Sequence, residues 1–355
     1  MRFLVLLGAL MAVTTAAQAQ SLDDLAAKAK GQSLVVSTQS NQSMDIVFDA
    51  FTKKFGVKIE NTVMRPSSAQ TRIQTEQQNG QFGWDLWWGG SSTMVNNATP
   101  AGLLEVIDDY LLPEIKDPKV WRNADFMYGD AGHHVFTHIH ELEYAILRNT
   151  SILPAIKFDS LDDFLNPQLK GKIAMRDASA PNFGTFALAT IYNARGPDFL
   201  KKLLTDQAPK VYENPQQLQS AIMRGGAAIS IGLESTLWQQ CRKEGGCKDV
   251  DELPQFAAAI SWGQSVPKKP PHPEAVKLWL NWFLSKEGQQ TTVDAWVKFN
   301  DTGALSMRKD VEPAPGHAQY LPDFTKPDQY VFVSIEKGAK EIADTIRIFK
   351  EAAGK

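Results

Sequence analysis

Hydrophobic positions along this chain switch repeatedly between a period of two and a period near 3.6, with short polar loops at the switches. Leu34-Val35-Val36 predicts a strand, which ends in the polar loop Ser37 to Ser43. Met44, Val47, Phe48, Phe51 and Phe55 then recur at the spacing of a buried helical stripe, and Gly56 stops it. Val57, Ile59, Asn61 and Val63 alternate as the next strand. Ser21 to Lys30 reads as a short amphipathic helix before this unit, and Ser67 to Asn79 as a further helix after it. Asp85 to Trp88 predicts another strand, running into Gly89-Gly90-Ser91-Ser92, with Trp84 and Trp88 on one side and Trp87 on the other.

The second half repeats the plan. Ile173-Ala174-Met175 is a strand followed by Asp177-Ala178-Ser179 and Asn182-Phe183-Gly184-Thr185 ahead of a helix. RGGAAISI turns into a further strand that ends at Gly232-Leu233-Glu234. Ala275, Leu278, Trp279, Trp282 and Phe283 form the apolar face of a helix that Ser285 to Gln290 continues, and Ser334 to Ala353 predicts a terminal helix. Strand, polar loop, helix and strand make the βαβ unit of open parallel sheets, so the pattern predicts an α/β protein of two facing lobes.

Ligands of such sheets sit beyond the carboxyl ends of strands, near helix N-termini. The expected contacts are therefore Gln39, Ser40 and Asn41, then Gly90, Ser91 and Ser92, from the first lobe. Asp177, Ser179, Asn182, Gly184, Thr185 and Glu234 come from the second, with Trp238 beside them. Helix capping is the plainer role for the small polar residues, and core packing for Trp238.

One stretch departs from this regularity. Gly132 to Asn149, GHHVFTHIHELEYAILRN, carries four of the six histidines and then Glu141 and Glu143. Period two puts His138, His140, Leu142 and Tyr144 on one face, and Ile139, Glu141 and Glu143 on the other. A strand polar on both faces makes a poor core strand. It suits a segment crossing between lobes, which adds Glu141, Glu143 and Tyr144 to the expected contacts.

Met1-Arg2, the apolar run Phe3 to Val13 and the small-residue site ending at Ala19 describe an export signal cleaved near Ala19. Loss of Arg2 with it takes the formal net charge from −3 to −4, which argues against a general nucleic-acid or anionic-membrane binder. The two cysteines, Cys241 and Cys247, then predict a local disulfide in an oxidising compartment.

LVVSTQSN, GWDLWWGGSS, LEYAILRN, PAIKFDSLDDFLNPQLKGKIAMRDAS and VPKKPPHPEAVKLWLNWFLSKEGQQ together resemble the extracellular solute-binding proteins of ABC transporters, family 1 type, whose members include ferric-ion, polyamine and thiamine binders. The resemblance implies a type II periplasmic-binding-protein fold, each lobe an open, mostly parallel sheet flanked by helices, with a ligand cleft between. The expected division is a signal peptide over 1–19, lobe 1 over 20–140 plus 266–310, and lobe 2 over 141–265. Crossing strands fall near 141–149 and 260–268, and 311–355 forms a C-terminal loop and helix assigned to neither lobe. The resemblance further implies delivery of a small molecule to a membrane permease, and a monomer in the periplasm with no cofactor and no reaction is expected.

Ferric-ion binders of this type carry adjacent tyrosines, and this chain has no Tyr-Tyr pair. Carboxylates at the crossing repel anions and favour a cationic or hydroxylated ligand. His138 and His140, on one predicted face, offer a metal-binding alternative. A periplasmic metal-dependent hydrolase is the remoter one, because G-x-S-x-G, H-E-x-x-H and P-loop motifs are all missing from the sequence. A receptor that feeds a sensor would share every feature of a transport protein.

Overall fold

The computed structural model describes residues 21–354, apart from 40–41, 235–236, 239–240, 243, 254–255, 299–304, 316–317, 319–320 and 327–328. The expected export signal, Ser40 and Asn41 lie outside the described residues.

α1 (Leu22–Ala29) precedes β1 (Ser33–Thr38), α2 (Gln42–Phe55), β2 (Lys58–Val63), α3 (Pro66–Gln78) and β3 (Leu86–Gly90). β4 (Val135–Glu143) follows a long irregular stretch and passes through Tyr144-Ala145 into β5 (Ile146–Asn149). β6 (Ile173–Arg176), α4 (Phe183–Asp206), β7 (Lys210–Tyr212), α5 (Pro215–Met223), β8 (Ile229–Ile231) and β9 (Val250–Glu252) come next. β10 (Ala258–Ser265), α6 (Pro273–Phe283), α7 (Lys286–Val297) and α8 (Ala339–Ala353) complete the chain. No helix among the described residues is long and apolar enough to cross a membrane.

The strands form two five-stranded sheets, ordered β2-β1-β3-β10-β4 and β7-β6-β8-β5-β9. The two plans match. In each, two parallel pairings come from βαβ units and two antiparallel pairings from strands at the lobe junction. β4 lies in the first sheet and β5 in the second, so the stretch singled out by its polarity does pass between sheets. β9 and β10 make the return passage. A third connection precedes α8, whose Ile348 and Phe349 pack in the second lobe's core with Leu188 and Leu200 of α4.

The first lobe's core gathers Phe48 and Phe51 of α2 with Trp279, Trp282 and Phe283 of α6. The Phe51 and Trp279 rings meet edge to face with centroids 5.0 Å apart. Trp84 and Trp87 share one cluster with Ile73 and Met94, while Trp88 faces the main core. The strand begins only at Leu86, so alternation does not reach back to Trp84, which the sequence pattern had grouped with Trp88.

Two helical expectations also shift. The run from 274 to 290 is two helices, because Ser285 caps α7 by accepting the Gly288 N–H at 3.3 Å. At Gly288 a Cβ would stand 2.2 Å from the Trp282 carbonyl oxygen. The terminal helix starts at Ala339 instead of Ser334, after a 3-10 turn over Glu336–Gly338.

Candidate functional site

The carboxyl ends of the first sheet's strands meet the second lobe along β4, β10 and the start of α4. Ile260 of β10 packs with Phe186 and Ala189 of α4. Glu141 stands opposite Ile260 in the register, and Glu143 opposite Ala258. Both carboxylates are buried, Glu141 to 6% exposure.

Glu141 has one defined partner. The Trp262 indole N–H donates to its Oε1 at 2.8 Å, while Oε2 is enclosed and meets no donor among the described residues. Burial pushes the Glu141 carboxyl up to about 7, against the lowering pull of the Trp262 bond. The Trp262 ring is only partly buried and stacks on Trp88, centroids 5.3 Å apart, with Trp296 set edge-on at 5.0 Å. Tyr144 is buried in the first lobe's core where the chain crosses.

The histidine pair does not share one face. Trp262 pairs with Ile139 and Gly263 with Thr137, leaving His138 as the extra residue of a β-bulge. His138 consequently packs beside Trp88 and Phe283, and His140 beside Phe126, Phe324 and Phe332. His140 is engaged through Nδ1 with the Ser261 hydroxyl at 2.7 Å and through Nε2 with the Phe126 carbonyl at 3.1 Å. Burial lowers His138 to about 3 and His140 to about 4, so both rings are neutral at ordinary pH. No group of three or more His, Cys, Asp or Glu among the described residues is placed to hold a metal ion.

At the end of β3, Gln39 spans two strands: its N–H donates to the Trp88 carbonyl at 3.3 Å and its Oε1 accepts the Gly90 N–H at 3.2 Å. The Ser91 hydroxyl is directed inward, 2.7 Å from the Ser334 carbonyl and 3.1 Å from that of Ser261. Ser92 accepts from Asn96 at 3.2 Å. These bonds shape the loop, and Ser91 has no free surface for a ligand.

In the second lobe, Asp177 accepts the Ser179 N–H at 2.8 Å and also the Ser179 hydroxyl. Asn182 caps α4, its Oδ1 accepting the N–H groups of Gly184 at 2.8 Å and Thr185 at 3.3 Å. The Thr185 hydroxyl donates to the Ala180 carbonyl at 2.6 Å. Gly184 lies against the loop after β8, where Gly232 has φ +88° and a Cβ on it would fall 2.4 Å from Gly184 Cα. Glu234 lies 3.7 Å from Nη1 of Arg176, an ion pair too long to be a hydrogen bond. Trp238 is buried with Leu218, Ile222 and Cys247, its surface taken up by packing beside the Cys241–Cys247 disulfide.

The structure therefore brings Glu141, Glu143 and Tyr144 together at the crossing, and Asp177, Ser179, Asn182, Gly184, Thr185 and Glu234 together at the head of α4. Trp262 and Arg176 were missed by sequence reasoning. Trp262 lies one residue before a glycine in the returning strand, with partial exposure that no local pattern shows. Arg176 directly precedes the Asp177 loop, and its position at a strand's carboxyl end was the available signal. A hollow of about 410 Å³ lined by Arg72, Glu76, Phe82 and Trp84 lies over α3 and the turn into β3. None of the expected contact residues lines it.

A profile of the bacterial extracellular solute-binding proteins matches residues 47–325. An uncharacterized protein of Haemophilus influenzae is 25% identical over 304 residues, covering 81% of this chain and 82% of its own. Among solved structures, iron-bound HitA from Pseudomonas aeruginosa superposes with a TM-score of 0.64 at 17% identity, over 90% of this chain and 99% of that one. Trichodesmium IdiA (FutA), in complex with iron and citrate, gives 0.67 at 18% over 91% and 100%. AfuA from Actinobacillus pleuropneumoniae, with fructose-6-phosphate bound, gives 0.58 at 20% over 90% and 98%. The two matching sheets, the paired crossings and the profile match over most of the chain lead to one conclusion: the protein belongs to the bacterial extracellular solute-binding protein family.

Proposed function

We propose that this protein is the exported capture component of an ABC transporter, closing over a small polar ligand, cationic or hydroxylated, and presenting it to a membrane permease. The observation that carries the ligand class is Glu141. It is a buried carboxyl group at the passage between sheets, with one oxygen held by Trp262 and the other without a donor among the described residues. Such an oxygen accepts an ammonium or hydroxyl hydrogen, and the partly exposed Trp262 ring offers a face to the rest of the ligand.

Binding, not turnover, is the proposed activity. The ligand favours the closed arrangement by binding it better, and the permease recognises that arrangement. A monomer working in the periplasm, its signal removed near Ala19, fits this role. The histidine-metal alternative loses support, because His138 and His140 face different neighbours and His140 already uses both ring nitrogens.

Arg176 supports a second reading. Its Nη1 is enclosed without a hydrogen-bond partner among the described residues and lies near Glu234, at the head of α4. A ligand carrying an acidic group beside its hydroxyls would engage it, as would a sugar phosphate of the kind bound in the AfuA structure. Titration calorimetry with amines, sugars, sugar phosphates and carboxylates tests both. The main reading expects saturable binding of an amine or a polyol, weakened at least about tenfold in Glu141→Ala, a cost near 1.4 kcal/mol. Selective binding of anions, unchanged in that variant, would contradict it.

A further inference from the structure

The surroundings of Glu141 leave its charge without an answer. β10, the strand that β4 pairs with, carries no ionisable side chain from Ala258 to Ser265. On β4 itself the neighbouring titratable groups are His138 and His140, both neutral, and Glu143, which is another acid. The facing residues of α4, Phe186 and Ala189, are apolar, as are Trp88 and Trp296. Among the described residues no Lys, Arg or His forms an ion pair with Glu141. A buried carboxyl group without a cation keeps its proton unless a positive charge arrives.

We infer that Glu141 exchanges its proton for the positive charge of the ligand. This rests on the proposed capture function and names the substrate class as organic cations bearing an ammonium group. In the empty protein the group is a carboxylic acid that accepts the Trp262 N–H through Oε1. On capture the O–H bond at Oε2 breaks and the proton leaves to solvent. The carboxylate formed then accepts an N–H hydrogen bond from a primary ammonium group or forms an ion pair with a quaternary one. Beside Glu141 the charge rises by the one ammonium group placed there and falls by the one proton released, so this exchange leaves the charge at the carboxyl group balanced. The Trp262 N–H fixes Oε1 and turns Oε2 to the ligand, while its ring face meets the rest of the ligand.

Calorimetry on the full mature chain tests this, with putrescine and choline as cationic probes, glucose as neutral and fructose 6-phosphate as anionic comparator. Titrations run from about pH 5.5 to about pH 8.5, in buffers of different ionisation enthalpy, so that protons released are counted directly. A cationic probe is expected to bind with about one proton released at the acid end, its affinity rising about tenfold per pH unit and levelling off above about pH 8. Glu141→Gln, which keeps an acceptor for Trp262, abolishes proton release and cation binding while retaining a cooperative thermal transition. Trp262→Phe removes the N–H that favours the ionised form and moves the midpoint of the pH dependence upward. Cation binding that is independent of pH, proton uptake, or failure of both cations to bind overturns the exchange. If glucose or fructose 6-phosphate binds instead, capture between the lobes survives and only the exchange falls. If none of the four binds and no small molecule accompanies the purified protein, both fall.

Discussion

Glu141 is a carboxyl group buried to 6% exposure, and its cost to folding can be measured. An ordinary glutamate titrates near 4.5, and burial raises Glu141 to about 7. The folded state thus holds a proton that the unfolded chain releases across that interval. The stabilising contribution is full below about pH 4.5 and is lost as pH rises through about 7. Glu141→Gln has no such loss. In ligand-free protein it should match the parent near pH 4.5 and exceed it at pH 8 by on the order of 3 kcal/mol, read from urea denaturation. Equal stabilities at pH 8 would mean that Glu141 is better solvated than its 6% exposure indicates. The prominence of this residue was legible in the sequence, because two carboxylates at alternate positions in a predicted strand are unusual. Its partner was not: Trp262 lies 121 residues away and meets Glu141 only through the β4–β10 pairing.

At the scale of elements, the βαβ units and their order were legible from periodicity, and the irregularities were not. The bulge at His138 is the clearest case. Alternation gave His138 and His140 a common face, and a single extra residue in the pairing sent them to separate aromatic surroundings. A bulge depends on the partner strand, so it leaves no mark in the local pattern. The polar residues at the head of α4 were legible as residue types, and capping is the role that the hydrogen bonds of Asn182 show. Asn182→Ala removes the acceptor for Gly184 and Thr185 and should cost about 1 kcal/mol by equilibrium denaturation. Gly232→Val is expected to be far more damaging, roughly 3 kcal/mol or more, because the backbone has φ +88° and the new Cβ would collide with Gly184. A mild effect there would mean that the loop after β8 and the start of α4 do not approach as described.

The whole molecule is two sheets of the same plan joined by strands that leave one sheet and enter the other. This arrangement places a strand with five polar residues of nine, Val135–Glu143, among the most buried of the molecule. Its apolar residues Phe136, Ile139 and Leu142 lie in the first lobe's core, and Phe126, Phe283, Phe324 and Phe332 pack against its histidines. The two-lobed architecture was legible from the repeated loops at strand ends. The placement of α8 was not, since an amphipathic helix at a chain's end shows which face is buried but not against which lobe. Only the packing of Ile348 and Phe349 on α4 shows it. Capture of a ligand between the lobes is the central claim, and native mass spectrometry of protein purified from the exported fraction tests it most directly. The account predicts a chain beginning near Gln20 that carries one small molecule per protein, with that molecule lost in Glu141→Ala. A bare polypeptide mass, or a bound molecule retained undiminished in that variant, would contradict it.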